Sequence, residues 1–389
     1  MTLLSLAWAN IMRDKLAAAL NTALMAVGMA TIVLLLLFGH HLSQRMTQDA
    51  AGIDLVLGAK GSPTQLVLSA IYHADIPTGN IPLAEAERWA EHPMVRSAIP
   101  LALGDSWRGF RIVGTTHAYP AVYDAELRTG RLWTERGEVT VGADVAARGL
   151  SVGSGFAGVH GLAAGGHVHD DNRYRVVGIL APTGTVIDRL VLTSVQSVWA
   201  IHGDAEPEAP EITSMLLDYA TPFAATRLPR LINSQSPLQA ASPAEQTSRM
   251  LQLLGVGIDG FRAFAWVLVV TASLGVFIAL YHALEARRYE LALLRSLGAT
   301  RAEVLLSLLI EGMLLSSAGA IAGLALGHGT ASVIGQWLDF AATDGLSGAH
   351  WVPREGWLLC YGVVVGALAA LLPAIRAYRS DVATVLKSA

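Results

Sequence analysis

Four long apolar segments constrain the fold of this chain more than any other sequence feature. They lie at about residues 16–39, 263–284, 305–327 and 356–372. An α-helix rises ~1.5 Å per residue, so about 20 apolar residues cross a hydrocarbon core that is about 30 Å thick. Only 15% of the 389 residues are charged, whereas soluble domains carry roughly 25%. The sequence therefore predicts a membrane protein with four transmembrane α-helices.

The N-terminal residues 1–15 predict a short amphipathic helix that lies along the membrane and contacts lipid. Leu6 and Ile11 fall on an apolar face, whereas Arg13 falls on a polar one. A secretory signal peptide is the alternative interpretation, because basic residues precede the apolar segment 16–39. That segment exceeds the 7–15 apolar residues typical of a signal peptide, so we expect an uncleaved first span.

A region of different character, residues 40–260, separates the first and second spans. Prolines, glycines and charged residues return, and the apolar runs shorten to strand length. We expect a large mixed α/β domain here, outside the cytoplasm, whose last helix continues into the second span as a stalk. The predicted strands are 53–59, 95–103, 108–115, 138–143, 174–180, 189–194 and 211–219, and the predicted helices are 65–73, 83–92 and 195–203.

The distribution of basic residues predicts the orientation of the spans. Lys and Arg concentrate on the cytoplasmic side of membrane proteins. The short loop between the third and fourth spans carries only Arg354. Both termini and the linker between the second and third spans are therefore expected in the cytoplasm, where the basic residues are Arg13, Lys15, Arg287, Arg288, Arg295, Arg301, Arg376, Arg379 and Lys387.

The linker between the second and third spans is short and densely charged. It reads EARRYELALLRSLGATRAEV from residue 285 and has an excess of arginine. A small charged helical element held between two spans at the cytoplasmic face offers a soluble partner a surface to bind. The residues predicted to make this contact are Arg287, Arg288, Glu290, Arg295 and Arg301.

Glycines recur at every fourth position in the last two spans. Small residues at this spacing allow helix backbones to approach closely. We expect them to pack helices together, either within one chain or across a dimer. The residues are Gly319, Gly323 and Gly327 in the third span and Gly362 and Gly366 in the fourth.

Glu311 is the one charged residue within the four apolar segments. A charged group at the centre of a bilayer costs ~2.5–3.5 kcal/mol on insertion scales, so such residues usually have a specific role. A proton relay would need further ionisable groups, and His282 at the end of the second span is a poor second member. We therefore favour a structural or conformational role.

No motif in the sequence predicts a catalytic site. GAKGSP at residues 58–63 resembles a phosphate-binding loop, but Lys60 precedes the second glycine instead of following it. Residues 149–153 match G-x-S-x-G but lack the strand before and the helix after that a nucleophile elbow requires. We expect no enzymatic activity in this chain and no cofactor bound by it, with ATP hydrolysed elsewhere.

A histidine-rich loop lies within the predicted soluble domain. Histidine and carboxylate side chains together could bind Zn²⁺, although a loop of this composition is usually solvated without a metal. The net charge of −4 predicts no nucleic-acid partner. The loop residues in question are His160, His167, His169 and Asp170.

Several motifs resemble the FtsX-like permease domain of ABC transporters of the MacB, LolC and LolE type. They are residues 286–305, 310–327 and 373–386, with the specific pattern Arg-Arg-x-Glu…Leu-Arg-x-Leu-Gly-Ala in the first. GRLW at 130–133, followed by GEVTVGADVAARGLSVGS and YRVVGIL, is similar to the periplasmic core domain of the same family. The segment 54–81 departs from MacB and leaves the substrate open.

The resemblance implies a permease subunit in the bacterial inner membrane, with residues 261–389 as its FtsX-like domain. Such a subunit pairs with a second permease copy and with two separate ATPase subunits that bind ATP and Mg²⁺. Closure of the ATPases would pass through the charged linker and the stalk to the periplasmic domain. The work would be export or the handling of lipoproteins or other envelope substrates, with a periplasmic adaptor or substrate protein as partner.

Two alternatives remain at this stage. In cell-division members of the family, the permease acts as a scaffold that regulates a periplasmic enzyme and transports nothing. A metal-linked role through the histidine-rich loop is the other.

Overall fold

A computed structural model describes residues 2–161, 168–201, 208–337 and 348–379. Lys387, one of the basic residues used to predict the orientation, lies outside the described residues. The described chain forms two compact units. The inserted domain is Leu42–Leu253, and the helical unit consists of the described residues that precede and follow it.

Four of the described helices are long and apolar enough to cross a membrane. Together with the mixed α/β domain between the first and second of them, they confirm the predicted fold class. In chain order the helices are α1 (Leu3–Arg13), α2 (Lys15–Asp49), α3 (Pro63–Ala70), α4 (Leu83–Ala90), α5 (Ala118–Val122), α6 (Ala143–Ala147), α7 (Val195–Ile201), α8 (Ala224–Gln235), α9 (Pro243–Ala286), α10 (Arg288–Ser296), α11 (Arg301–Trp337) and α12 (Gly356–Arg379).

Three spanning helices extend further than the apolar segments predicted. The first segment ends at residue 39, but α2 continues to Asp49 and enters the inserted domain. The third segment ends at residue 327, but α11 continues to Trp337. The fourth was expected to end at Pro373, but α12 continues through this residue to Arg379. Proline is tolerated within membrane helices because neighbouring helices and local adjustments satisfy the freed backbone groups. Pro373 is buried within the helical unit.

The glycines of the third span bring α11 against α2. A Cβ atom added at Gly319 would lie 2.6 Å from Met25 Cβ, and one at Gly323 would lie 2.5 Å from Met29 Cβ. At Gly327 the nearest atoms would be those of Val33, at 2.7 Å. No side chain fits in these gaps, so this glycine face packs on another helix of the same chain.

A second glycine face brings α11 against α12. A Cβ atom at Gly366 would lie 2.5 Å from the carbonyl oxygen of Gly312, and one at Gly362 would lie 2.7 Å from Ala320 Cβ. Gly312 in turn faces Ala370 at 2.7 Å. α11 therefore lies between α2 and α12, with backbones in near contact on both sides.

The inserted domain is built on a mixed ten-stranded sheet in the order β12-β1-β11-β3-β4-β9-β6-β8-β5, with β7 paired to both β3 and β8. These pairings close strands β3, β4, β9, β6, β8 and β7 into a ring. The strands are β1 (Leu55–Ala59), β2 (Ile81–Pro82), β3 (Val95–Trp107), β4 (Phe110–Thr115), β5 (Leu127–Gly130), β6 (Glu138–Val141), β7 (Gly155–His160), β8 (Val168–Leu180), β9 (Leu190–Ser194), β10 (Glu211–Ile212), β11 (Ser214–Tyr219) and β12 (Leu238–Ala241).

Successive residues of β1 point into two different hydrophobic cores. Leu55 and Leu57 pack with Trp89 of α4 and Leu228 of α8. Val56 packs on the opposite face with residues of α3. A strand that is covered on both faces is apolar at every position instead of alternating with polar residues. This explains why β1 reads as a continuous apolar run.

Two sequence motifs of the inserted domain meet around a buried carboxylate. Arg131 donates two hydrogen bonds to Glu138, at 2.7 and 2.5 Å, and Arg175 of β8 adds a third at 3.2 Å. The backbone N–H groups of Thr134 and Glu135 also donate to it. Glu138 is only 3% exposed. The GRLW and GEVTVGADV motifs thus form a polar cluster that joins the loop after β5 to β6 and β8.

The close packing of α11 on α2 predicts that one methyl group added at this contact destabilises the protein. Gly323→Ala places a Cβ within 2.7 Å of both Met29 Cβ and the Ala26 carbonyl oxygen, so we expect a loss of about 1–3 kcal/mol from overpacking. Gly329→Ala is the matched control in the same helix, because a Cβ there meets no atom within 4 Å. Thermal unfolding of the full chain in nanodiscs measures both, and equal midpoints would contradict this packing.

The cluster around Glu138 predicts a pH dependence of stability. The hydrogen bonds from Arg131, helped by the backbone N–H groups of Thr134 and Glu135, hold the pKa of Glu138 well below its usual range. A carboxyl group whose pKa falls on folding stabilises the protein above its unfolded pKa of ~4.3, and this contribution is lost as the pH falls further. Thermal unfolding between about pH 7 and pH 3 should show Glu138→Gln less stable at neutral pH, with a weaker decline in acid. Parallel curves for the two proteins would refute this role.

Candidate functional site

The charged linker folds into the short helix α10, which presents an apolar face away from its own chain. Ala292 is buried beneath it, whereas Leu293 is 47% and Leu297 78% exposed. Tyr289 and Leu294 are also exposed. Large apolar side chains grouped on one helix surface are typical of a binding site for another protein.

Turn chemistry at each end holds α10 between the two long helices. Gly298 follows the helix with a φ of +108°, which an L-residue rarely adopts. Thr300 and Glu303 then form a capping box: the Thr300 backbone N–H donates to the Glu303 carboxylate at 2.7 Å, and the Glu303 N–H donates to the Thr300 hydroxyl at 3.2 Å. This begins α11 at Arg301.

The predicted contact residues of the linker occupy different environments. Arg288 is exposed and pairs with Glu285 at 3.1 Å. Glu290 is exposed and accepts two hydrogen bonds from Arg13 of α1, at 3.0 and 3.1 Å. Arg301 is exposed, and Arg295 is half-buried. Four of the five residues thus remain wholly or partly accessible on or beside α10.

Arg287, the fifth residue, points into the helical unit. It is 8% exposed, and its guanidinium lies 3.8 Å from the carboxylate of Glu311. It also donates a hydrogen bond to the backbone oxygen of Asn10 at 3.2 Å. The structure therefore places Arg287 as an internal contact, so the accessible surface of α10 is formed without it.

Glu311 is buried at the junction of three helices. Asn10 of α1 donates a hydrogen bond to it at 3.3 Å, and Arg287 at the start of α10 supplies the opposite charge. A charge at membrane depth is tolerated when such a partner compensates it. The Asn10–Arg287–Glu311 cluster connects α1 and the beginning of α10 to α11.

A cleft of about 630 Å³ adjoins this cluster. It lies among α1, α2, α9 and α11 and is lined by both charged and aliphatic side chains. Asn21 and Gly275 also line it. The polar residues that line it include Asn10, Arg13, Asp14, His282, Arg287 and Glu311.

A second buried acid lies at the other end of α11, and sequence reasoning did not single it out. Glu355 is fully buried, and its carboxylate lies 2.8 Å from His328 Nε2. His328 Nδ1 lies 2.7 Å from the carbonyl oxygen of Gly348, and Trp351 stacks on the imidazole. This pair attaches the segment before α12 to α11. The signal available in the sequence was a glutamate immediately before an apolar segment.

The predicted zinc residues cannot be placed. His167 and the side chains of His160, His169 and Asp170 lie outside the described residues. Within the described ranges, no group of three or more His, Cys, Asp or Glu side chains is arranged to hold a metal ion. Zinc binding by this loop stays a prediction.

The two motifs that resemble enzyme sites have local structural roles. Ser62 caps α3 by accepting a hydrogen bond from the Gln65 N–H at 3.3 Å, and Lys60 donates to the Asn233 carbonyl oxygen at 3.3 Å. Gly149 and Gly153 have positive φ angles of +107° and +92° in the turns around Ser151. β7 follows at Gly155, so no helix follows this serine as a nucleophile elbow requires.

Sequence reasoning did not assign a role to Asn10 or to the pairing of Arg13. Asn10 and Arg13 are three residues apart, so they share one face of α1. They contact Glu311 and Glu290 respectively. Polar residues at this spacing in an otherwise apolar helix were the available signal.

Comparison with known proteins identifies both parts of the chain. The model of the MacB-like periplasmic core domain matches residues 18–227, which is more than half of the chain. The FtsX-like permease C-terminal model matches residues 262–382. Both matches fall where the motifs predicted them, so the predicted family is confirmed.

Curated relatives are distant but extend over the same regions. The pyoverdine export ATP-binding/permease protein PvdT of Pseudomonas savastanoi pv. phaseolicola is 22% identical over 410 residues, covering 98% of this chain and 58% of that protein. The chain thus spans less than two thirds of the length of this relative. The uncharacterized ABC transporter permease YknZ of Bacillus subtilis is 26% identical over 147 residues, covering 36% of this chain and 32% of that protein.

The crystal structure of the periplasmic region of MacB from Actinobacillus actinomycetemcomitans aligns with 51% of this chain and 94% of its own, at a TM-score of 0.35 and 15% identity. The identification rests on the two family models and on the four spanning helices. The chain therefore belongs to the ABC transporter permeases that combine a MacB-like periplasmic core domain with an FtsX-like permease C-terminal region.

Proposed function

We propose that this protein is the permease component of an export-type complex, in which an ATP-binding component outside these 389 residues drives conformational work in the inserted domain. The permease binds that component through α10. The inserted domain acts on a substrate on the opposite side of the membrane. This chain itself hydrolyses no ATP.

The exposed surface of α10 is the observation that carries this proposal. It combines the apolar side chains Tyr289, Leu293, Leu294 and Leu297 with the neighbouring charges of Arg288 and Arg301. Protein interfaces typically consist of an apolar centre with a charged rim. A span adjoins the helix at each end, so a force applied to α10 acts directly on α9 and α11.

The relatives support an ATP-driven role. PvdT is named an ATP-binding/permease protein, and this chain matches 58% of its length. We expect the ATP-binding component to correspond to the part of PvdT that this chain does not match. At 22% identity the named pyoverdine substrate does not transfer, and we propose only export or handling of an envelope substrate. A second permease copy and a periplasmic adaptor or substrate protein complete the proposed assembly.

The orientation follows from the basic residues. Because Lys and Arg mark the cytoplasmic side, we place α10 and both termini in the cytoplasm and the inserted domain in the periplasm, with the spans in the inner membrane. α1 exposes Leu4 (61%), Trp8 (58%) and Met12 (39%) along one face. This apolar stripe is suited to lie in the lipid interface.

Movement of α10 would reach the other helices through the buried cluster beneath it. Arg287 precedes α10 and contacts both Asn10 of α1 and Glu311 of α11. Separating a buried charge from its partner is costly, about 3–5 kcal/mol when one partner is removed. α1, α10 and α11 are therefore expected to move together. This assigns Glu311 a mechanical role, as the sequence favoured.

Substitutions on α10 should release the ATP-binding component. Leu297→Asp places a charge in the apolar centre of the surface, so we expect binding at least about tenfold weaker, typical of a central interface residue. Arg301→Glu should also weaken binding without unfolding α11, because a carboxylate is favourable at a helix N-terminus. Co-purification and ATPase activity through a tag on the full chain measure both effects.

Leu127→Asp is the matched control for these variants. Leu127 is a leucine of the inserted domain that is 42% exposed. It should retain the ATP-binding component at the wild-type level. Normal co-purification and ATPase activity in the Leu297→Asp and Arg301→Glu variants would show that α10 is not the binding surface.

Labelling from outside the cell tests the orientation. Cys360 is the single cysteine, so Cys360→Ala provides a background for Ser296→Cys at the end of α10 and Val152→Cys in the inserted domain. A membrane-impermeant maleimide should label the Val152→Cys variant in intact spheroplasts and the Ser296→Cys variant only after permeabilisation. Labelling of both from one side would overturn the arrangement.

A further inference from the structure

We propose that the hydroxyl of Tyr72 is the point at which α2 and α9, together called the stalk helices, are joined to the inserted domain. Tyr72 acts as a positioning residue for the transmission of movement. This inference rests on the proposed function, since it concerns how that movement would enter the domain. It is carried by hydrogen bonds among Met46, Tyr72 and Thr247, all within the inserted domain.

The C-terminal turn of α2 is capped by two tyrosines. The last four carbonyl groups of a helix lack partners within the helix. Here the Tyr72 hydroxyl donates to the Met46 carbonyl oxygen at 3.1 Å, and the Tyr123 hydroxyl donates to that of Asp49 at 3.0 Å. The Asp49 side chain also accepts a hydrogen bond from the Val186 N–H at 2.6 Å. The end of α2 is therefore bound to three separate segments of the domain.

The same Tyr72 hydroxyl contacts the second turn of α9. It lies 2.5 Å from the Thr247 hydroxyl. A carbonyl oxygen only accepts, so the Tyr72 proton points to Met46 and the Thr247 hydroxyl must donate to the Tyr72 oxygen. Burial raises the pKa of Tyr72, which keeps this proton in place. One side chain thus bonds both stalk helices at once.

Additional contacts surround this bridge without replacing it. The Thr64 hydroxyl of α3 donates to the Gln246 side chain of α9 at 2.8 Å. Met46 and Met250, one from each stalk helix, pack on the hydrophobic core that contains Tyr72. Of the two stalk helices, the Tyr123 hydroxyl hydrogen-bonds to α2 and the Thr64 hydroxyl to α9, whereas the Tyr72 hydroxyl hydrogen-bonds to both. Substituting these three residues one at a time therefore distinguishes the role of Tyr72 from those of Tyr123 and Thr64.

The segment that carries Tyr72 is held in a strained conformation. His73 is buried, with a φ of +51°, a left-handed value that is uncommon for a residue with a side chain. Its Nε2 lies 2.9 Å from the Tyr119 hydroxyl, and Arg111 donates to the Asp75 carbonyl oxygen at 2.8 Å. Strained residues persist only where surrounding contacts enforce them, and they cluster at functional positions.

The proposal assigns a role to residues 54–81, whose sequence departs from that of MacB: this segment positions Tyr72. β1 and α3 place this segment beside the stalk helices, and the turn after α3 aims Tyr72 between them. A relative shift of α2 and α9 would act on Tyr72 directly and, through β1 and α3, on the sheet. Without the hydroxyl, each stalk helix could shift without the other and with less effect on the domain.

The test is Tyr72→Phe in the full chain, purified with its ATP-binding component in nanodiscs. Amide hydrogen exchange is followed in residues 43–49 and 245–250, with and without ATP plus vanadate. Each hydrogen bond removed should raise local exchange about three- to tenfold. Tyr72→Phe should raise exchange in both segments, Tyr123→Phe only in 43–49, and Thr64→Val only in 245–250. Tyr174→Phe is the matched control, because it removes a buried tyrosine hydroxyl that bonds neither stalk helix.

Tyr72→Phe should also reduce the nucleotide-dependent exchange change in the domain, while ATP hydrolysis and the thermal unfolding midpoint stay near those of Tyr174→Phe. An unchanged nucleotide response, exchange raised in one stalk helix only, or the same changes in Tyr174→Phe would overturn the inference. If the wild-type domain shows no nucleotide response at all, the proposed function fails with it. If Leu297→Asp abolishes the response and Tyr72→Phe does not, the proposed function stands and the role of Tyr72 is refuted.

Discussion

The helical unit depends on the close contact of α11 with helices on both sides. In a bilayer, apolar side chains gain little by leaving lipid for one another, so helices associate through close packing and a few hydrogen bonds. Gly319, Gly323 and Gly327 bring α11 against α2, and Gly312 brings it against α12. With the backbones this close, α11 forms the centre to which the other elements attach. Its glycine faces are used within the chain, so another copy would have to bind different surfaces.

The buried charges depend on this arrangement. Glu311 is accommodated because α11 holds it beside Asn10 and Arg287. Under the proposed function, this contact passes movement of α10 to α1 and α11. At the other end of α11, the His328–Glu355 pair attaches the segment before α12. Both acids thus face a nitrogen-bearing side chain from another element, and a buried carboxyl group requires such a partner.

Two of the candidate membrane helices, α2 and α9, continue into the inserted domain. α2 continues to Asp49 and α9 begins at Pro243, so both have their outer ends in the inserted domain. Their ends are fastened by side-chain hydrogen bonds, chiefly from Tyr72 and Tyr123, instead of by flexible loops. Both helices thus end in the inserted domain against tyrosines of its own hydrophobic core.

Much of the fold was predictable because its signals are local. Of the predicted strands, 95–103 and 108–115 correspond closely to β3 and β4. Runs rich in Val and Ile that are bounded by turns predict a strand without information from the rest of the chain. β5 and β12 were missed because they are short and gain their pairing from distant strands. α8 was missed because Pro229 and Pro237 suggested a loop, yet the helix forms through Pro229 on the face of the sheet. In the site, the linker was recognised from its charge pattern, but the inward orientation of Arg287 was not.

The sequence by itself determined the four spans, the inserted domain and the family, because apolar length, charge distribution and motif spacing are properties of consecutive residues. Only the tertiary structure decided which residues meet: Arg287 with Glu311, 24 positions apart, and Tyr72 with Thr247, separated by 175. Such pairs depend on where whole helices and strands are placed, which no local pattern specifies. The exposed face of α10 and the Tyr72 bridge therefore became visible only once the chain was folded.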